Sequence, residues 1–177
     1  MEKIFRGSYQ SPIGLIEVSG TEKAITSVGF SEHKRAGEPC PLIETCIMQL
    51  DEYFKGKRME FNVPLSPEGT PFQNKVWRAL MDIPFGHTVN YQEIASAIHQ
   101  ERACRAVGSA NGRNPVFLLI PCHRVIGKDG SLTGYSGGLW RKEWLLKHES
   151  GNLSEDQVRI MPAPEQQRIR CLRSRPA

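Results

Sequence analysis

No apolar run in this 177-residue sequence is long enough to cross a membrane. The longest, Val116 to Ile120, has five residues, against the roughly 18 or more that a spanning helix needs. The N-terminal stretch MEKIFRGSYQ lacks the charged-then-apolar layout of a secretory signal. Cysteine is sparse and irregular. Cys40, Cys46, Cys104, Cys122 and Cys171 are an odd set with no CxxC pair. A disulfide framework is therefore not expected, and a reducing, cytoplasmic setting fits (nuclear in a eukaryote). His33, Cys40 and Cys46 are the one local group of metal-type residues, and they lack the fourth ligand usual for structural zinc. No metal is expected. Hydrophobic residues at 39% and charged residues at 24% exclude disordered, collagenous and disulfide-scaffold classes.

The formal net charge of +4 is unevenly spread. Residues 1–69 carry 8 Lys/Arg against 10 Asp/Glu, residues 70–149 carry 10 against 6, and residues 150–177 carry 5 against 3. The basic balance thus begins after residue 69. It permits a polyanionic partner, and it equally fits plain solvation.

Residues 4–30 read as strands, rich in β-branched residues and punctuated by Ser11-Pro12 and Gly20-Thr21. Ile43, Ile47, Leu50 and Phe54 form one face of a helix over 42–54, ended by Gly56. Phe61 to Leu65 is a short extended piece, and residues 66–71 (SPEGTP) make the best linker. The first 65 residues form a small α+β unit without visible chemistry. After Pro71 the pattern turns helical, with Phe72, Val76, Ala79 and Leu80 on one face until Pro84-Phe85-Gly86 breaks it. A helix over 91–98 has Asn90 as N-cap and Glu93 three residues on, a capping-box arrangement. A break at Gln100-Glu101 leads to a third helix from Arg102 to about Ala110.

This short helix pair resembles a helix-turn-helix, with Arg102, Arg105 and Arg113 on or near its second member. Ala103, Cys104, Ala106, Gly108, Ser109 and Ala110 give that helix few of the polar side chains that major-groove readers project. Small residues suit either a narrow minor groove or close packing against a neighbouring helix. The tail after Ser150, with its prolines and weak periodicity, is expected to be mobile or peripheral.

The chemistry concentrates at Asn114-Pro115, the apolar run 116–120 and Pro121-Cys122-His123-Arg124-Val125-Ile126. Proline stops a central strand from continuing, so Cys122 is expected at a turn where the chain leaves the core. It is the one cysteine flanked by His and Arg, groups that favour a thiolate. A buried structural cysteine is the alternative.

Ile120-Pro121-Cys122-His123-Arg124-Val125 resembles the active-site signature of the O6-alkylguanine-DNA alkyltransferases, or methylated-DNA–protein-cysteine methyltransferases. Arg105-Ala106-Val107-Gly108, Asn114-Pro115, Gly134-Tyr135-Ser136-Gly137-Gly138, Lys142-Glu143-Trp144-Leu145-Leu146 and His148-Glu149 extend the likeness over residues 70–149 in order and spacing. The resemblance implies an α+β fold class. A small N-terminal α/β (ribonuclease H-like) domain over 1–66 precedes a mainly helical, winged-helix-like catalytic domain over 67–150, with a tail over 151–177. It implies direct repair of duplex DNA by a monomer that needs no cofactor, membrane or obligate protein partner. An O6-alkylguanine, or an O4-alkylthymine, is flipped out from the minor-groove side. The alkyl group passes irreversibly to Cys122, so each molecule acts once.

The resemblance also implies roles. Cys122 is the nucleophile, His123 its base through a water, and Glu149 the orienter of that imidazole. Asn114 fixes the turn, and Tyr91 donates to the flipped base. The carbonyls of Val125 and Cys122 read the exocyclic amine, the Ser136 amide reads O6, and Tyr135 packs along the pocket. Arg105 fills the space of the extruded nucleotide, while Ala106, Ser109 and Arg113 meet the DNA. The competing readings are a non-catalytic lesion-binding protein and a winged-helix regulator in which Cys122 is core. A thiol protease fits poorly, because the histidine directly follows the cysteine.

Overall fold

The computed structural model describes residues 2–161 and 163–174. Three antiparallel strands open the chain: β1 (Phe5–Ser11), β2 (Gly14–Gly20) and β3 (Ile25–Phe30). Their order is β1-β2-β3, with Tyr9 opposite Ile16 and Val18 opposite Val28. Helix α1 (Pro41–Phe54) covers the sheet. It comes so close at Gly7 that a Cβ there would lie 2.6 Å from Ile47 and 2.8 Å from Ile43. The inward stripe is Ile43, Cys46, Leu50, Tyr53 and Phe54, while the expected member Ile47 is only half-buried. Tyr53 is wholly buried because its hydroxyl meets a charged group of the second unit.

The extended piece after α1 closes the sheet's far side. Ile25 N–H donates to Pro64 O at 2.8 Å, and Ser66 N–H donates to Ile25 O at 2.8 Å. Thr70 then caps α2 (Pro71–Met81) in a reciprocal box with Gln73. The apolar run 116–120 joins the same sheet. Val28 N–H donates to Pro115 O, and Phe117 N–H donates to Val28 O. One hydrophobic core therefore runs through both units, from Ile16 and Leu50 to Leu80, Val107 and Leu145.

Asn90 caps α3 (Tyr91–Ala97) in the expected box with Glu93. The helix after it, α4 (Cys104–Gly112), starts two residues later than expected and runs two residues further. Ala103 N–H bonds back to Gln100 O, which keeps residues 101–102 in the turn, and His99 takes a left-handed φ of 57° to make it. Val89–Asn90 (β4) pairs in parallel with Val125–Ile126 (β5), so the cap of α3 and the exit from Cys122 share one ladder.

Helix α5 (Leu139–Asn152) closes the second unit. Of the two expectations for the tail, mobile, or peripheral with a short helix, the second matches: it is helical and docks beside the end of α5. Ser154 caps α6 (Glu155–Arg159), and α7 (Ala163–Ser174) follows. Val158, Met161 and Ile169 are buried. Arg168 donates to Thr88 O at 3.0 Å, and Arg173 donates to Ser150 O and Leu153 O. Few apolar residues anchor this segment, and much of the docking is arginine to backbone carbonyl, which hydrophobic periodicity does not register. Pro162 and residues 175–177 of that tail lie outside the described residues. Among the described residues, no helix is long and apolar enough to cross a membrane.

Candidate active site

Cys122, His123 and Arg124 form a single 3-10 turn between the apolar run and β5, and all three are buried. The turn is set by its neighbours. Asn114 Nδ2 donates to Ile120 O at 2.8 Å, and its Oδ1 accepts from Val116 N–H at 3.0 Å. One side chain thus closes both ends of the loop before the cysteine. Leu118 sits at φ 71°, a left-handed conformation that a leucine adopts only where the surroundings impose it. Asn111 Nδ2 donates to Cys122 O at 3.3 Å, and Val125 N–H donates to the same oxygen.

Behind the turn lies Glu149, with no exposed surface. Five donors converge on its carboxylate. Oε1 accepts from His123 Nε2 at 2.7 Å, Tyr53 Oη at 2.8 Å and Arg124 Nη2 at 3.0 Å. Oε2 accepts from Arg124 Nε at 2.9 Å and the Gly86 amide at 3.0 Å. Burial pushes the carboxyl up, but His123 and Arg124 overcome that and hold it well below the usual carboxylate range. A carboxylate at Nε2 means that Nε2 carries the ring proton, so Nδ1 is the lone-pair side. Nδ1 is buried without a hydrogen-bond partner. Burial lowers the imidazole's proton affinity, and Glu149 only partly restores it, so His123 rests neutral with a free acceptor nitrogen. Cys122 has its thiol pushed up by burial, while the Asn114 side chain and the Lys142 charge pull it down. The resting group is a protonated thiol, and a base must take its proton before the sulfur can attack.

On the opposite side stands the loop 133–138. Tyr91 Oη donates to Thr133 O at 3.0 Å, and burial keeps that phenol a firm donor. Lys142 Nζ donates to the same carbonyl at 2.7 Å, and burial brings its ammonium down to about 8. Tyr135 is buried with an unpartnered hydroxyl, whereas Ser136 is exposed. A cavity of about 260 Å³ lies between β3, Asn114-Pro115 and this loop, with Tyr135 and Ser136 in its wall.

Helix α4 presents two unlike faces. Val107, Ala110 and Asn111 point inward, and Trp77 Nε1 donates to Ala110 O at 2.9 Å. Arg105, Ala106, Ser109 and Arg113 share the exposed face. The small residues divide between the two alternatives. Ala110 is buried where Trp77 meets its carbonyl and Gly108 faces the Tyr91 ring, where a Cβ would make ordinary contact at 3.8 Å, while Ala106 and Ser109 face outward.

The structure therefore gathers His123, Glu149, Asn114 and Val125 around the buried turn of Cys122, with Tyr91, Tyr135 and Ser136 across from it. Arg105, Ala106, Ser109 and Arg113 lie on a separate surface. Sequence reasoning missed Tyr53, Gly86 and Asn111, gave no role to Lys142, and read Arg124 as a cation beside the thiol, whereas its guanidinium turns away to pair with Glu149. The adjacency of Arg124 to Cys122 was a usable signal. Tyr53 had none, because an aromatic on a helix's apolar stripe reads as core.

The two halves of the chain match two family models. Residues 4–67 match the ribonuclease-like domain of 6-O-methylguanine DNA methyltransferase, and residues 71–151 match its DNA binding domain. Similar curated proteins include the methylated-DNA–protein-cysteine methyltransferases of Methanosarcina barkeri, 50% identical over 151 residues (81% of this chain, 96% of the relative), and Haemophilus influenzae, 38% identical over 157 residues (84% and 88%). The crystal structure of Mycobacterium tuberculosis OGT in complex with DNA superposes with a TM-score of 0.77 at 42% identity, covering 85% of this chain and 96% of that one.

Proposed function

The chain belongs to the 6-O-methylguanine DNA methyltransferase family and is a methylated-DNA–protein-cysteine methyltransferase, and from that premise we propose that it repairs O6-alkylguanine, and O4-alkylthymine, by moving the alkyl group onto Cys122. One observation carries the assignment: next to Cys122 stands an imidazole whose Nε2 is fixed on Glu149 and whose Nδ1 is an unpartnered acceptor. The Cys122 proton passes through a water to Nδ1. The sulfur then attacks the alkyl carbon, the carbon–O6 bond breaks, and the guanine leaves with its electron pair. The imidazolium is stabilised where it forms by Glu149, the nucleophile–base–orienter arrangement.

In this reading Tyr91 turns its hydroxyl from Thr133 O to the departing base, to which it donates. The Val125 carbonyl, with that of Cys122, accepts from the exocyclic amine, the Ser136 amide donates to O6, and Tyr135 packs along the ring. Asn114 keeps the turn in place. The cysteine is buried, so the base must leave the duplex to reach it. Extrusion costs a few kcal/mol, least for a damaged pair. Exposed Arg105 enters the vacated stack, with Ala106 and Ser109 against the minor groove and Arg113 near phosphate. The alkyl carbon is already activated by its heteroaromatic leaving group, so the reaction requires no cofactor. The product thioether has no hydrolytic route, and the protein works once, as a monomer.

Intact-protein mass after incubation with O6-methylguanine duplex tests this. A gain of about 14 Da, one methyl in place of hydrogen, is expected, and Cys122→Ala should abolish it. A restored guanine with no mass gain on the protein would refute the assignment.

A further inference from the structure

Arg141, on the first turn of α5, makes contacts that the roles above do not use. Its Nε donates to Ile13 O at 2.7 Å, in the β1–β2 turn of the N-terminal unit. Its Nη1 donates to Gly137 O at 2.8 Å, one residue past Ser136. The guanidinium lies over the Phe30 ring at 4.1 Å and the Trp140 ring at 4.5 Å, which holds a planar cation in place. The N-terminal sheet and the substrate loop therefore meet on one side chain.

The loop needs such a hold. Gly134 and Gly138 bracket Tyr135 and Ser136 at φ 64° and 94°, and glycine restricts the backbone least. The loop is tied at its start by Lys142 and Tyr91 on Thr133 O. It is tied at its end by Arg141 on Gly137 O. Consecutive residues of α5 thus grip the two ends of one loop. When Tyr91 turns to the base, Lys142 alone of that pair keeps the first end, and at the end next to Ser136 Arg141 is the side chain that adds to the backbone bonds of Gly138 with Tyr135 and α5. At Gly137 the packing is tight, since a Cβ would come 2.8 Å from the Tyr135 ring and 2.9 Å from Phe30. A small displacement there moves Tyr135.

We propose that Arg141 is a positioning residue for alkyl transfer: by bonding Ile13 O and Gly137 O together it uses the N-terminal sheet as the anvil that fixes Tyr135 and Ser136 around the extruded base. This deepens the reading of Cys122 as alkyl acceptor and rests on it. It also gives the N-terminal unit a part in the chemistry.

The test is single-turnover transfer from O6-methylguanine duplex at varied protein concentration, which separates DNA affinity from the transfer rate. Misplacement of about 1 Å can cost on the order of 100-fold in rate. Arg141→Ala should therefore slow transfer by about 10- to 100-fold and leave the affinity for undamaged duplex within about 2-fold. The control is capping of Cys122 by iodoacetamide, which needs no ordered loop. Its rate should match wild type, whereas general damage to the site would change both reactions together. Arg141→Lys, which reaches one carbonyl at most, should lie between wild type and Arg141→Ala. If Arg141→Ala fails to fold, Arg141→Lys decides, and transfer at the wild-type rate overturns the proposal. Equal changes in transfer and iodoacetamide capping overturn it as well. Failure of the wild-type protein to gain a methyl would instead strike at the underlying reading.

Discussion

Behind Cys122, five donors converge on a carboxylate with no exposed surface. On α4, the residues assigned to DNA stand in solvent. The first region ties chemistry to stability, because its groups are buried and, His123 Nδ1 apart, each donor behind the cysteine is paired with the Glu149 carboxylate. The second separates them, because its side chains stand in solvent, contribute little to the folded state and are proposed to act on DNA. A substitution behind the cysteine should therefore damage fold and reaction together, and one on the outer face of α4 should damage the reaction alone.

The strongest challenge to that contrast is Glu149→Gln. It leaves the Arg124 guanidinium buried without its anion, and removing one partner of such a pair costs about 3–5 kcal/mol. Urea denaturation should show a loss of that size, and alkyl transfer should be lost with it. A stable but inactive variant would mean that the cluster serves chemistry only.

Acid sharpens the contrast next. The folded proton affinity of His123 lies below its ordinary value of 6.5, so the unfolded chain takes up that proton first. Stability therefore begins to fall as pH drops through about 6.5. Glu149 is held below its ordinary 4.5, so its contribution is complete above that pH and is lost as pH falls further toward its folded value. Denaturant midpoints measured from pH 7.5 to 4 should decline and then steepen. A flat profile would contradict the buried pair.

The smallest effects belong to α4. Arg105→Ala should change unfolding free energy by no more than about 0.5 kcal/mol, as for exposed residues generally, while slowing repair of the lesion. Arg113→Ala should lower the slope of log affinity against log salt by about 0.9, one phosphate contact. A loss of thermal stability in Arg105→Ala as large as its loss of activity would erase the distinction between the two regions.

Legibility in the sequence followed the range of the interaction. The Asn90 cap, the α1 stripe and the turn at Pro121 were readable because each depends on neighbours a few residues away. Cys122 and His123 were readable as a candidate pair because they adjoin. Tyr53 was not, since its meaning comes from a bond to a residue 96 positions on. Arg141 was not, since one of its acceptors lies 128 positions earlier. The docked tail escaped notice because arginine-to-carbonyl anchoring leaves no periodic trace.

The sequence by itself determined the local pieces: helices with their caps, the turn after the apolar run, and a cysteine next to its imidazole. Only the tertiary structure decided that Glu149 would be charged in the core, that burial would lower the Lys142 ammonium to about 8, and that Arg141 would join the N-terminal sheet to the loop 133–138. Propensity and periodicity act within a few residues, whereas burial and electrostatics depend on distance in space, which is set only when remote segments pack.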